Sequence, residues 1–361
     1  MPGPLNVADF ERLAAEALEP GPLGYFAGGA GDERTLRDNV AAFERWRLRP
    51  RMLVDVGDVT TATTLLGAEV ASPIGVAPVA FQRMAHPDGE PGMARAAASA
   101  GSLMCLSTIA TATPTEVAEA APGAPRWFQL YLFRDRGVTM ALAEEAVERG
   151  FSAVALTVDA PRAGRRERDQ RTEFVIPPEI SVPSLDAATG GEKPLSVDEV
   201  FAQVDPTLTW ADLETLASDV EVPVLVKGVL TAEDASLAVE HGAGGVIVSN
   251  HGGRQLDGVP ASLEALPEVV EAVDGRVEVM MDGGIRRGTD VLVALAMGAR
   301  GVLVGRPALW GLAAAGEEGA RRVLELLREE LELALCLAGC PSPDAVTIDH
   351  VRRSELARPQ A

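Results

Sequence analysis

Short apolar runs alternate with longer stretches of helical period through most of the 361-residue chain. The runs predict strands at Pro73–Ala77, Leu103–Ser107, Trp127–Tyr131, Ala153–Val158, Val222–Lys227, Gly245–Ser249, Val277–Asp282 and Gly301–Gly305. Between them lie amphipathic stretches such as Gly137–Arg149, Ala232–His241, Leu263–Val273 and Thr289–Met297. Alternation of this kind marks parallel βα units. Eight strands, each followed by a helix or a helix-sized gap, fit a closed (β/α)8 TIM barrel better than an open sheet. An open doubly wound sheet usually carries G-x-G-x-x-G after its first strand, and the chain has none there.

The pattern predicts one domain over residues 1–361, in three parts. Residues 1–70, with a helix near Val7–Leu18, form an N-terminal cap; residues 71–310 form the barrel; residues 311–361 form a C-terminal helical segment. A long loop of about 160–219 follows the fourth strand, too long for a simple βα connection. Its middle, IPPEISVPSLDAATGGEKPLS, is rich in Pro, Gly and Ser. It reads as a mobile lid, because it leaves the C-terminal end of a strand, where barrel active sites sit. A solvated insertion without a role is the alternative.

Composition narrows the function classes. The 53 acidic residues outnumber the 32 basic ones, for a formal charge of −21. That field opposes nucleic acid and anionic membrane as partners, but leaves room for an anionic substrate held by a few local arginines. Cys105, Cys336 and Cys340 lack C-x-x-C spacing, so they predict packing residues rather than a metal or redox site, with Cys336 and Cys340 one turn apart on a helix face. The first residues lack a basic segment followed by an apolar core, and no uncharged apolar run nears ~18 residues. A soluble, cytoplasmic protein is the expectation.

The strongest chemical segment, Ser249-Asn-His-Gly-Gly-Arg-Gln-Leu-Asp257, follows the sixth strand directly. On its glycine-loosened turn His251 is placed to remove a proton and Arg254 to hold a carboxylate in two-pronged geometry. Met281-Asp-Gly-Gly-Ile-Arg-Arg-Gly288 and Val304-Gly-Arg-Pro307 follow strands seven and eight. Backbone amides of such glycine loops, backed by arginines, form an anion nest where barrels commonly hold phosphate. Lys227 ends the fifth strand and either snorkels to the rim or points at a buried anion. Asp159 ends the fourth strand, as a partner for Arg162, Arg165 and Arg166 or as support for a protonated histidine across the barrel mouth.

Together these segments resemble the FMN-dependent L-2-hydroxy acid oxidases and dehydrogenases, a family that includes glycolate oxidase, lactate oxidase, mandelate dehydrogenase and 4-hydroxymandelate oxidase. The resemblance runs from about Asp9 to Cys340. Its further motifs are Tyr25-Phe-Ala-Gly-Gly-Ala-Gly-Asp32, Ala77-Pro-Val-Ala80, Ala85-His-Pro-Asp-Gly-Glu90, Phe128-Gln-Leu-Tyr131, Thr157-Val-Asp159 and Gly164-Arg-Arg166. It implies FMN as cofactor, oxidation of a small L-2-hydroxy acid to the 2-oxo acid, and a homotetramer or homo-octamer. It implies O2 as acceptor, giving H2O2, with a quinone-reducing dehydrogenase as the alternative. An FMN-dependent isomerase or a non-catalytic flavoprotein fits less well, because Tyr25, Arg166, His251 and Arg254 are all present.

By the same resemblance His251 is the base, Asp159 the carboxylate supporting it, and Arg166 and Arg254 the grip on the substrate carboxylate. Tyr25 also reaches that group, and Tyr131 lies near the oxygen at C2. Lys227 faces the pyrimidine end of the flavin, Ala80, Ser107, Gln129 and Thr157 border its ring, and Ser249 sits beside it. Asp282, Gly284, Arg286, Gly305 and Arg306 match the ribityl and phosphate contacts. Two departures stand out. Val79 replaces a threonine common in the family, and Ile109 falls where glycolate oxidase has an aromatic residue. Ile109, with Phe81 and Phe133 nearby in sequence, predicts a roomier apolar pocket and a lactate-like or mandelate-like substrate.

Overall fold

The computed structural model describes residues 3–184, 186 and 197–354. Eight parallel strands close into a barrel: β1 Ile74–Val76, β2 Met104–Ser107, β3 Arg126–Leu130, β4 Val154–Thr157, β5 Val224–Val229, β6 Gly245–Val248, β7 Glu278–Asp282 and β8 Gly301–Val304. β8 closes on β1 through Val302↔Ile74, Leu303↔Gly75 and Val304↔Val76. Each predicted strand is present, shifted by a residue or two. β5 runs furthest past its expected end, with an irregular register between Lys227 and Val229. Gly228 sits there at φ +111, where a Cβ would come within 2.6 Å of the Asp159 Cβ. Its bare backbone lets the ends of β4 and β5 approach closely.

The barrel is filled rather than hollow. Leu103, Cys105, Trp127, Ala153, Ala155, Leu225, Ile247, Met280 and Leu303 form one buried apolar cluster inside it. Trp127 is fully buried among small neighbours such as Ala153 and Ala155, a large-against-small fit that fills the taper of a small barrel. Leu65, from the hairpin Thr63–Leu65/Ala68–Val70, joins the same cluster. That hairpin stoppers the N-terminal end of the barrel. The helix Val7–Ala17 instead packs along the long helix Arg306–Ala338, which is broken by a kink at Ala315 and Gly316.

The long helix changes one expectation. Cys336 lies on it, but Gly339 ends it with φ +77, and Cys340 follows beyond the turn. The two cysteines do not share a helix face; Cys105 and Cys340 are buried and all three are free thiols.

After β4 the chain makes the helices Glu167–Arg171, Val197–Phe201 and Trp210–Asp219. Arg136 ties this insertion to the β3 loop through Asp205 (2.7 Å) and Asp212 (3.0 Å), and Phe133 pairs with Val204. Of the Pro/Gly/Ser-rich stretch expected to be a mobile lid, residues 185 and 187–196 lie outside the described residues. Ile176, Val182 and Ser184, on its described side, are buried. Among the described residues no helix is long and apolar enough to cross a membrane.

Candidate active site

At the end of β6 the chain turns through three consecutive left-handed residues, His251 (φ +59), Gly252 (+63) and Gly253 (+75). A non-glycine residue held there costs on the order of 1–3 kcal/mol and needs outside support. The support is visible. The His251 backbone N–H donates to Ser249 Oγ (3.0 Å), and the Gly253 N–H donates to Asn250 Oδ1 (3.1 Å). Asn250 in turn exchanges two 2.8 Å hydrogen bonds with Asn39 of the helix Arg34–Glu44. Asn39 has no motif around it in the sequence; its role appears only once these elements meet.

The turn brings His251 Nδ1 to 2.9 Å from Asp159 Oδ1. With Nδ1 donating to the carboxylate, the neutral ring keeps its lone pair at Nε2. Burial disfavours the charged form of each partner. For Asp159 the nearby His251 and Lys227 outweigh burial and hold its carboxyl below the usual range. For His251 burial wins over the attraction of Asp159, assisted by repulsion from Lys227 and Arg166, so the imidazole is held below its usual value. A histidine kept neutral, with a charged carboxylate behind it, is poised to accept a proton.

Two arginines, Arg166 buried and Arg254 half-buried, flank the same space. The Arg254 guanidinium lies 4.6 Å from the centroid of the Tyr25 ring, and that of Arg166 lies 5.7 Å from it. Arg254 donates to the backbone oxygens of Tyr25 and, at 3.2 Å, Gly28. Burial, together with the charge of Arg166, lowers Arg254 to about 10. Two like charges this close, in a site with a neutral histidine, make a strong attractor for one anion. The phenol of Tyr131 is buried, which pushes its ionisation well up and keeps it a neutral hydroxyl.

Deeper in the barrel, Lys227 Nζ lies 3.0 Å from Ser249 Oγ and 3.2 Å from Asp282 Oδ2, and Ser249 donates to Asp282 Oδ1 at 2.7 Å. Asp282 and Asp159 keep the lysine charged in spite of burial, its pKa raised. Gln129 Oε1 accepts from Ser107 Oγ (3.2 Å) and the Thr108 N–H (3.2 Å). Gln129 Nε2 and Thr157 Oγ1, however, are buried with no hydrogen-bond partner. Unpaired polar atoms inside a core are costly, and they mark where a polar ligand completes the site.

The two glycine loops close the far wall. A Cβ on Gly284 would lie 2.0 Å from the Asn39 carbonyl oxygen, so no side chain fits there. Arg306 is half-buried and donates to the carbonyls of Phe26 (2.9 Å), Gly252 (2.9 Å) and Gly28 (2.8 Å). Its N–H groups fasten the N-terminal segment over the barrel, and its charge adds to that of Arg286 and Arg254.

One cavity of about 1010 Å³, counting its open mouth, gathers nearly all of the predicted residues. Tyr25, Ile109, Tyr131, Arg166, His251 and Arg254 line one part of it. Ala80, Ser107, Gln129, Thr157, Lys227, Asp282, Gly284, Arg286, Gly305 and Arg306 line the rest. Asp159 and Ser249 stand behind the wall, each acting through a residue on it. Phe81 and Phe133 are not on the wall. Phe81 packs against the Tyr25 ring at 5.6 Å, and Phe133 is committed to Val204. The aromatic side chain that does enter is Phe201, from the insertion after β4, with its ring 5.8 Å from that of Tyr131. A lone phenylalanine in an amphipathic stretch gives no sequence signal of this kind.

A polar ring of unpaired Gln129 and Thr157, a charged lysine and a cationic glycine cradle fit FMN, which has an amide-like ring edge and a phosphate tail. Comparisons agree. A family model described as FMN-dependent dehydrogenase matches residues 14–353. Glycolate oxidase 3 of Arabidopsis thaliana is 49% identical over 352 residues, covering 96% of this chain and 95% of its own. L-lactate oxidase of Nostoc sp. is 51% identical over 346 residues, covering 93% and 95%. Among solved structures, mandelate oxidase with (S)-4-hydroxymandelic acid superposes with a TM-score of 0.92 at 43% identity, covering 97% of this chain and 99% of that one.

Proposed function

Because the chain belongs to the FMN-dependent dehydrogenase family, we propose that it oxidises an L-2-hydroxy acid larger than glycolate and passes the electrons to dioxygen, giving hydrogen peroxide. That it is an FMN-dependent oxidoreductase acting on the CH–OH group of 2-hydroxy acids is established by the family and its oxidase relatives. Substrate size and acceptor are the new part.

The observation that carries the reading is the convergence of a neutral His251, backed by Asp159, with Arg166 and Arg254 on one cavity. In this reading the two arginines hold the substrate carboxylate and fix the face that C2 presents. Tyr131 offers its hydroxyl to the oxygen on C2. His251 Nε2 takes a proton from the substrate, and Asp159 stabilises the imidazolium that results. Gln129, Thr157, Lys227 and the Gly284–Arg286 and Gly305–Arg306 loops would hold FMN. When bound, FMN supplies the two-electron chemistry that the side chains lack. Ile109 and Phe201 give the end of the pocket an apolar lining that suits a methyl or aryl group on C2. The relatives that bear the names glycolate, lactate and mandelate oxidase support an oxygen-reducing enzyme and bracket the substrate size.

The test is the visible spectrum of the FMN-loaded protein under anaerobic conditions with a panel of L-2-hydroxy acids. Bleaching by a lactate-like or mandelate-like acid is expected, followed by recovery and peroxide on admitting air. Glycolate outperforming every larger acid would overturn the size assignment. Recovery with a quinone but not with air would overturn the acceptor.

A further inference from the structure

Arg166 is the N-cap of the helix Glu167–Arg171, and Asp169 lies one turn along it. Arg166 is buried and Asp169 half-buried, their side chains at 3% and 13% exposure, and Arg166 Nη1 stands 4.0 Å from Asp169 Oδ2. That is an ion pair without a hydrogen bond. Arg166 Nη1 and Asp169 Oδ1 both lack hydrogen-bond partners among the described residues. The rest of the Arg166 guanidinium lies near the Tyr25 and Phe201 rings, 5.7 Å from each centroid, and Arg254 is hydrogen-bonded to neutral carbonyls. Asp169 is not part of the cavity wall, so it does not occupy the place of a substrate. It sets a negative charge behind two positive ones.

We propose that Asp169 is the resident counter-ion of the Arg166–Arg254 pair and limits how tightly that pair holds a substrate or product carboxylate. The inference rests on reading these arginines as the carboxylate grip. Two sheltered arginines with no opposing charge would bind any small carboxylate strongly, and the 2-oxo acid product carries the same carboxylate as the substrate. A contact too long for a hydrogen bond still acts through its charge, because Coulomb attraction falls only slowly with distance. Asp169 therefore weakens the grip without competing for the site, which favours product release. Its carboxyl is itself raised by burial and by Asp198, while Arg254 and Arg166 draw it down. A counter-ion held in this balance responds to what the arginines bind.

The test compares FMN-loaded wild type with Asp169→Asn and Asp169→Ala, titrated with oxalate as an unreactive dicarboxylate and followed by the flavin spectrum. Both variants should bind oxalate about tenfold more tightly, the effect of removing one unit charge at this range in a partly buried site. Affinity for a neutral 2-hydroxyamide should stay within twofold. A merely structural role predicts the opposite sign, since a displaced Arg166 would bind oxalate less well. Unchanged or weaker oxalate binding in both variants overturns the proposal. Anaerobic bleaching by a 2-hydroxy acid is read in the same cuvette. Normal bleaching without the tightening means that only the counter-ion assignment fails. A wild type that never bleaches with any acid overturns the functional reading and this proposal with it.

Discussion

On strand after strand of the barrel, a step of two residues separates an apolar interior from a chemical one. Cys105 is followed by Ser107, Trp127 by Gln129, Ala155 by Thr157, Leu225 by Lys227, Ile247 by Ser249 and Met280 by Asp282. The first of each pair belongs to the buried apolar plug. The second is also buried, and it lines the cavity or, for Ser249, backs it. Side chains two apart on a strand point the same way, so both sets face inward at successive levels. The lower level contributes stability through close packing. The upper level leaves polar atoms such as Gln129 Nε2 and Thr157 Oγ1 without partners, a cost that a bound ligand would relieve.

Four experiments break or sharpen that contrast. The largest effect is expected at the upper level. His251→Ala should slow anaerobic flavin reduction by about 10³-fold, the range for losing a positioned base, with little change in melting temperature. A native rate in stopped-flow absorbance would remove His251 from the role of base.

Next comes a matched pair on one strand. Trp127→Ala should destabilise the protein by ~3–5 kcal/mol in denaturant unfolding, the usual result of emptying an aromatic site, while the folded fraction keeps its flavin reduction rate. Gln129→Leu should do the reverse. The apoprotein should lose at most about 1–2 kcal/mol, because the unmet Nε2 donor disappears together with the acceptor that Ser107 Oγ and the Thr108 N–H use, and FMN should bind about tenfold more weakly. Equal loss of stability in both variants would erase the distinction between the levels.

Ile109→Trp should move the ratio of kcat/KM for glycolate over a mandelate-like acid by about tenfold toward glycolate, a normal effect of filling an apolar pocket. An unchanged ratio would place the side chain of the substrate elsewhere in the cavity.

The smallest effect is on pH dependence. His251 must be neutral to act, and burial holds its pKa below 6.5. Activity should therefore be full above that value and fall as pH drops through the lowered pKa. Asp159 pulls against burial, so Asp159→Asn should move the acidic limb of the kcat/KM profile further down. Movement toward higher pH would mean that Asp159 does not stabilise the imidazolium.

Much of this contrast is written along the strands. Continuous apolar runs ending in Lys227, Asp159 or Ser249 locate both the barrel and its reactive end, because a parallel strand buried on both faces must be apolar until it reaches the rim. The turn after β6 was legible because two glycines beside His251 and Arg254 leave few other conformations. Phe201 was not legible, nor were the true positions of Phe81 and Phe133. An aromatic residue in a loop or short helix satisfies the same pattern whether it fills the core or borders a cavity. Only the path of the insertion after β4 separates the two. Asn39 was hidden for a similar reason, since its partner Asn250 lies 211 positions away.

The sequence by itself determined the eightfold βα order, the end of the barrel where chemistry sits, and the residue types gathered there. Those follow from local periodicity and from side-chain chemistry, which need no knowledge of distant neighbours. Tertiary structure alone decided two things: that Arg306 fastens the N-terminal segment through backbone carbonyls, and that Asp169 sits behind the arginine pair. Each depends on a distance between side chains, set by how strands close and loops cross, and no spacing along the chain encodes it.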